Sequence, residues 1–308
     1  MATVVLAILP VFALIFLGTG LRRWRLLSDA FWEPAERLTY FLLFPALLVT
    51  TLASADLDGL DVGRMAAALA APVVVLTVAL LSARRALGFD GPVFTSIFQG
   101  SLRLNTYVGL SVAFGVYGVD GLAAAAVAVA VVVPLVNLLS VAALARFAAD
   151  GAPSWRRVPG QIARNPLIAA CALGIVLNLT GLGLPPVIGP LLEILGRGAL
   201  PLGLLAVGAG LDFAAALAGG RAVAVAVGLK LVVLPLMTAA ACWGLEVGAV
   251  AAFIAVLFNG TPAAPSSYIL ARQLGGDARL MAGIITVQTA LAVVTLPLLL
   301  TVLTGGPP

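Results

Sequence analysis

Ten long apolar runs, near 3–21, 36–53, 62–84, 93–116, 120–146, 164–181, 187–212, 221–244, 247–270 and 280–303, decide which solvent this chain can fold in. Each is close to the ~20 residues that a helix needs to cross a hydrocarbon core. The runs are continuous rather than alternating, which excludes the short strands of a membrane barrel. Composition agrees: the 308 residues are 62% hydrophobic and only 10% charged, whereas a soluble domain is about a quarter charged. No polar stretch is long enough for a separate soluble domain. The sequence therefore predicts an all-α membrane protein of ten transmembrane helices.

The first run, Thr3 to Leu21, has no basic region before it, and Arg22, Arg23 and Arg25 follow it. That is the pattern of a retained span rather than a cleaved leader. The net charge of +4 raises nucleic acid as a partner, but the distribution of the charges speaks for membrane orientation instead. With the N-terminus outside, the inner loops and span ends hold Arg22, Arg23, Arg25, Arg37, Arg84, Arg85, Arg146, Arg156, Arg157, Arg164, Arg221, Arg272 and Arg279. Only Arg64 and Arg197 fall outside. The basic bias predicts a multi-pass protein of the plasma (inner) membrane, both termini outside, on the periplasmic side in a bacterial host. Lipid, not nucleic acid, is the expected surrounding. Cys171 and Cys242 lie within apolar runs and give no metal spacing, and histidine is absent, so no cofactor or metal site is expected.

The two halves repeat. A shift of 156 positions pairs Pro10 with Pro166, Gly18 with Gly174, Pro34 with Pro190, Pro45 with Pro201 and Asp56 with Asp212. A shift of 160 lays Phe98-Gln99-Gly100-Ser101 on Phe258-Asn259-Gly260-Thr261. Five spans is an odd number, so the second copy lies upside down. The expected organisation is a 5+5 inverted repeat, residues 1–152 and 153–308, the plan of alternating-access carriers.

Such carriers place their site near the midplane, where matched helices of the two repeats are interrupted. The ninth span reads Phe258-Asn259-Gly260-Thr261-Pro262-Ala263-Ala264-Pro265-Ser266-Ser267-Tyr268. Two prolines three apart remove two backbone donors and break the helix, and unpaired backbone at that depth must face protein or a watered cavity. A packed proline kink is the plainer alternative. The fourth span is the counterpart, with Gly100 through Asn105 and Thr106 but no proline, so its break rests on symmetry and polarity. Helices broken and crossing there turn the positive ends of their second halves toward a substrate, an arrangement suited to a carboxylate.

Arg103 and Lys230 are the two cations within spans, and no acid sits at comparable depth, Asp212 being the arguable exception. An anionic substrate is then the economical partner for them. The alternatives are that Arg103 snorkels to the inner interface and that Lys230 bonds to helix carbonyls. Asn137, Asn178 and Gln288 read as interhelical hydrogen-bonding residues. Pro45 and Pro201, matched in the second and seventh spans, read as shaping their helices.

Several segments resemble the auxin efflux carrier family: Ile8-Leu9-Pro10 to Gly18, Phe44-Pro45-Ala46-Leu47-Leu48, Asn165-Pro166-Leu167 through Gly174, Ala199-Leu200-Pro201-Leu202 with Gly208-Ala209-Gly210-Leu211, and Thr261-Pro262-Ala263-Ala264-Pro265-Ser266. The likeness runs over nearly the whole chain. It implies a ten-helix carrier of the bile-acid/auxin/arsenite superfamily, with a scaffold of helices 1, 2, 6 and 7. Helices 3–5 and 8–10 would form a mobile domain, with helices 4 and 9 crossing at Asn105 and Pro262. It also implies small organic anions, auxin-like acids or dicarboxylates, as substrates. The chain departs from the family at Ser111, where relatives usually carry proline, so a softer break in helix 4 is expected.

The resulting expectation is a secondary transporter of a small organic anion rather than an enzyme. Asn105, Thr106, Asn259, Gly260, Thr261, Pro262, Pro265 and Ser266 form the substrate site. Arg103 and Lys230 supply positive potential, and Gly100, Pro45 and Pro201 set helix breaks and the scaffold. Coupling to protons or sodium, as in a bile-acid-type symporter, stays open, as does a homodimer. A non-transporting sensor is the rival of another class.

Overall fold

The structure is a computed structural model that describes residues 2–55, 61–148 and 166–305. Among the described residues the regular structure is all helical. In chain order the helices are α1 (Ala2–Arg23), α2 (Asp29–Leu38), α3 (Phe44–Ala53), α4 (Val62–Leu87), α5 (Gly91–Leu102), α6 (Thr106–Phe147), α7 (Pro166–Thr180), α8 (Ile188–Arg197), α9 (Ala199–Ala209), α10 (Phe213–Ala218), α11 (Gly220–Gly228), α12 (Leu234–Gly244), α13 (Ala249–Gly260), α14 (Ser266–Gln273) and α15 (Ala278–Thr304). Seven continuous helical stretches of 18 residues or more are apolar enough to cross a membrane. The first half of the ninth run and the sixth run appear as the shorter apolar helices Ala249–Gly260 and Pro166–Thr180. Asp56, Asp58, Arg156, Arg157, Arg164 and Asn165, and with them the expected boundary at 152/153, lie outside the described residues.

Acidic residues at the span ends start the helices. Asp61, Asp90, Asp212 and Asp277 each accept a hydrogen bond from the backbone N–H three residues on, at Arg64, Val93, Ala215 and Leu280. Each satisfies a donor that the first turn leaves unpaired. Asp212 is thereby a helix cap, and its own N–H donates to Thr286 Oγ1 at 2.8 Å. Prolines act inside the spans. Pro45 and Pro235 each follow a π-helical turn, Thr39–Leu43 and Leu229–Val233, closed by the bonds Phe44 N–H to Thr39 O and Leu234 N–H to Leu229 O. The wide turn makes room for a ring that would otherwise strike the carbonyl four residues back. Between the fourth and fifth spans the chain turns on Gly118, at φ 61° and ψ −137°, a conformation that residues with a Cβ rarely adopt.

Two helix pairings carry the frame, α1 with α9 and α3 with α7. They are built from small residues, as membrane interfaces require. A Cβ on Gly18 would overlap the carbonyl of Leu205, and one on Gly208 the carbonyl of Ile15. Gly174 lies on α3, where a Cβ would stand 3.2 Å from Val49 O. Side chains then close the helix ends. Arg22 Nη1 donates to Ala209 O at 2.7 Å, and Asn178 Nδ2 to Ala53 O at 3.4 Å and to Ala55 O at 2.8 Å.

Gly208→Leu is accordingly expected to force α1 and α9 apart and destabilise the fold by about 1–3 kcal/mol or more. Gly63→Ala, whose Cβ would meet only Asp61 Oδ1 at 3.7 Å, is expected to be neutral. Thermal unfolding of the two variants in detergent separates them; equal melting points would remove the packing account.

Candidate functional site

Two helices stop at the same kind of place. α5 and α13 are both 12 residues long and end in residues of near-identical backbone, Arg103 at φ −67°, ψ 150° and Thr261 at φ −65°, ψ 152°. In α13 the cause is Pro262, which biases the residue before it away from the helical region and offers no N–H. In α5 there is no proline. There Asn105 accepts from the N–H groups of Tyr107 and Val108, at 3.1 and 3.2 Å, and starts a new helix. One break is made by a stop and the other by a start. The fourth span is therefore broken outright at 103–105, between α5 and α6, and Ser111 sits within the regular helix beyond it. Its lack of a proline does not soften the break.

The breaks touch. Asn105 N–H donates to Thr261 Oγ1 at 3.3 Å, and Thr261 Oγ1 donates to Phe258 O at 2.8 Å. Gln288 of α15 ties both together. Its Nε2 donates to Gly100 O at 2.9 Å and to Ala226 O at 3.1 Å, while its Oε1 accepts from Ala263 N–H at 2.9 Å. Sequence reasoning gave Gln288 only a general interhelical role. The available signal was an amide within the span that follows the broken one. Tyr107 seats the crossing on the frame by stacking on Phe44, with ring centroids 4.7 Å apart at 28°.

Arg103 comes to this junction rather than to the interface. It is 7% exposed, and Nη2 donates to Ser266 Oγ across the two breaks at 2.9 Å. Lys230, fully buried in the π turn before Pro235, points its Nζ at Leu102 O, 3.5 Å away. Neither joins the salt bridges found among the described residues, Arg22–Asp29 and Arg64–Asp61. Thr106 is half-buried at the first position of α6, Pro262 is buried, Pro265 is half-buried as the N-cap of α14, and Ser266 is exposed. Gly260 closes α13.

Three expectations need correction. Gly100 is not at the break: it lies inside α5, packed so closely on Ile284 that a Cβ would be 2.7 Å from Cγ2. Asn259 does not offer its amide to a ligand, because Nδ2 donates to Thr238 Oγ1 at 2.9 Å and Leu69 O at 3.2 Å. What remains on Asn259 is Oδ1, an acceptor, which repels rather than binds a carboxylate. The first turn of α6 also does not present free N–H groups throughout, since Asn105 satisfies two of them. Pro45 and Pro201 stand as the second residue of α3 and the third of α9, in the helices that form the frame.

Around the junction, buried polar atoms lack partners. They are Gln99 Nε2 and Oε1, Arg103 Nε and Nη1, Asn105 Nδ2, Asn259 Oδ1, Ser267 Oγ and Thr289 Oγ1. Each costs about 1–3 kcal/mol if left dry, so the site is built for water or a polar ligand. Four of these atoms are nitrogens that only donate, two of them on a guanidinium. Donors of that kind and charge are matched by an anion with several acceptors, such as a carboxylate. No group of three metal-ligating side chains occurs among the described residues.

Residues 155–300 match the family described as membrane transport protein. A curated protein of Methanothermobacter thermautotrophicus, described as an uncharacterized transporter, is 26% identical over 299 residues, covering 94% of this chain and 95% of the relative.

Proposed function

We propose that this chain, whose residues 155–300 match the family of membrane transport proteins and whose motifs resemble the auxin efflux carriers, moves a small organic anion across the membrane by alternating access. The observation that carries the reading is Arg103, a buried cation with two unpartnered nitrogens where two broken helices meet. No acid among the described residues is paired with it. The carboxylate binds to Arg103 and to Asn105 Nδ2, with Thr106 and Gln99 beside them and the second halves α6 and α14 directing their positive ends toward it.

The architecture proposed for this cycle is ten spans in two inverted copies, 1–152 and 153–308. Gly91–Phe147 then counts as two spans, and α13 with α14 as one. Two exchanged contacts support it. Gly18 and Gly174 are 156 positions apart, as are Val49 and Leu205, and Gly18 packs on Leu205 while Gly174 packs on Val49. Arg22 and Asn178 are again 156 apart, as are Ala53 and Ala209, and each polar side chain closes the other copy's helix. Reciprocal contacts of this sort follow from a two-fold axis between copies. On this plan the frame of spans 1, 2, 6 and 7 stays fixed, and spans 3–5 and 8–10 carry the crossing from one face to the other.

The test is a thermal-shift screen of the purified protein against mono- and dicarboxylates, followed by uptake into proteoliposomes with and without sodium. A stabilising carboxylate that is also transported is expected. Asn105→Ala and Pro262→Ala are expected to lose uptake by a factor of ten or more while eluting as folded protein. Full uptake in both variants, or a panel with no stabilising acid, would overturn the assignment.

A further inference from the structure

Lys230 is the only lysine in the chain; the other 16 of its 17 basic residues are arginine. The distinction is chemical. Arginine keeps its charge under all working conditions, whereas a buried lysine can give its proton up. With histidine also absent, Lys230 is the one basic side chain here able to cycle between charged and neutral forms. Its placement is equally specific. It is fully buried, in a π turn, a feature that recurs at functional sites, and its Nζ meets the carbonyl of Leu102, the last residue of α5. A cation at that point holds the negative end of the half-helix.

The surroundings leave the charge without an acid. The π turn packs against α5, α11, α12, α13 and α15. α5 and α13 carry no ionisable side chain, α11 carries Arg221, α12 carries Cys242 and α15 carries Arg279, with Arg103 just past α5. Asp90 and Asp277 cap the first turns of α5 and α15, a helix length from the break. The second break has no equivalent. α13 ends near Asn259, whose amide is bonded to Leu69 O and Thr238.

We propose that Lys230 is a proton-carrying latch on the broken fourth span. When its amine takes a proton from water on the open side, the ammonium donates to Leu102 O and holds the end of α5. When that proton passes back to water, the charge on the helix end is lost and the break at 103–105 loosens. Resting on the carrier reading above, the latch moves one proton with each anion, the ammonium balancing the carboxylate during the crossing and returning neutral.

The test needs no substrate, so its failure is separate from failure of the carrier reading, which the uptake assay decides. Biosynthetic [ε-13C]lysine gives one side-chain signal in the full-length protein. As pH is raised across the range in which the protein stays folded, that signal is expected to move between two limiting shifts. Hydrogen exchange in the segment 100–106 is expected to rise over the same interval, by roughly tenfold beyond the intrinsic pH effect, and Lys230→Arg to remove that rise. A signal fixed at the ammonium position overturns the proposal, and so does titration with no change at the break. If Lys230→Arg fails to fold, the two wild-type measurements decide alone.

Discussion

Arg103→Gln is expected to lose carboxylate binding by a factor of a hundred or more while the protein melts no lower than the wild type. The first half of that result follows from the unpartnered Nε and Nη1. Two charge-assisted hydrogen bonds at about 1.5–3 kcal/mol each amount to at least two powers of ten in affinity. The second half follows from how few partners the protein itself gives the guanidinium. Arg103 is 7% exposed and its guanidinium has Ser266 Oγ as its one hydrogen-bond partner among the described residues, so the charge is an uncompensated burden until an anion arrives. Removing it relieves the fold and disables the site. Arg103→Lys keeps the charge but not the fork that reaches Ser266 and a ligand together, and is expected to restore little. Binding by calorimetry and melting by scanning fluorimetry on the same preparations check both halves. A variant that melts well below the wild type would make Arg103 a structural residue.

What could be read in the sequence was whatever leaves a mark on residue type. Pro262 and Pro265 announce the break in the ninth span, because a missing N–H breaks a helix wherever it falls. The break in the fourth span leaves no such mark. It is made by the side chain of Asn105 bonding to N–H groups two and three residues on, and asparagine in a span is equally consistent with interhelical bonding. Ser111 stands out as a missing proline, yet the break is complete six residues earlier.

The internal sequence match shows the same contrast. Matching Phe98-Gln99-Gly100-Ser101 to Phe258-Asn259-Gly260-Thr261 requires a shift of 160. The helices themselves run from Gly91 to Leu102 and from Ala249 to Gly260, 158 positions apart at both ends. That match aligns similar side chains, whereas the backbone aligns where each helix stops. In the frame, close packing of glycine on backbone keeps residue type and geometry in step, and the shift of 156 holds for contacts as well as for letters. Asn259 departs from the expected role for a related reason. Polarity marks a residue as bonded, but not whether its partner is Thr238 or a ligand.

Gln288→Leu is expected to damage the protein more than any other single change at the crossing. The amide joins three segments at once: the last turn of α5 through Gly100 O, the body of α11 through Ala226 O, and the break after α13 through Ala263 N–H. Gln288 is fully buried, so a leucine strands Gly100 O and Ala263 N–H out of reach of bulk water and leaves Ala226 O only the N–H of Leu229. At about 1–3 kcal/mol for each, the loss is a large share of the ~5–15 kcal/mol that holds a typical domain. Melting is expected to fall steeply and uptake to vanish; a Gln288→Leu protein with wild-type melting would show the breaks to be held from elsewhere. Gln288→Glu sharpens the point, since it keeps an acceptor for Ala263 N–H but removes the donor needed by the two carbonyls. Only an uncharged amide offers donor and acceptor in one side chain of that reach. The crossing needs both because one broken helix presents carbonyls there and the other an N–H.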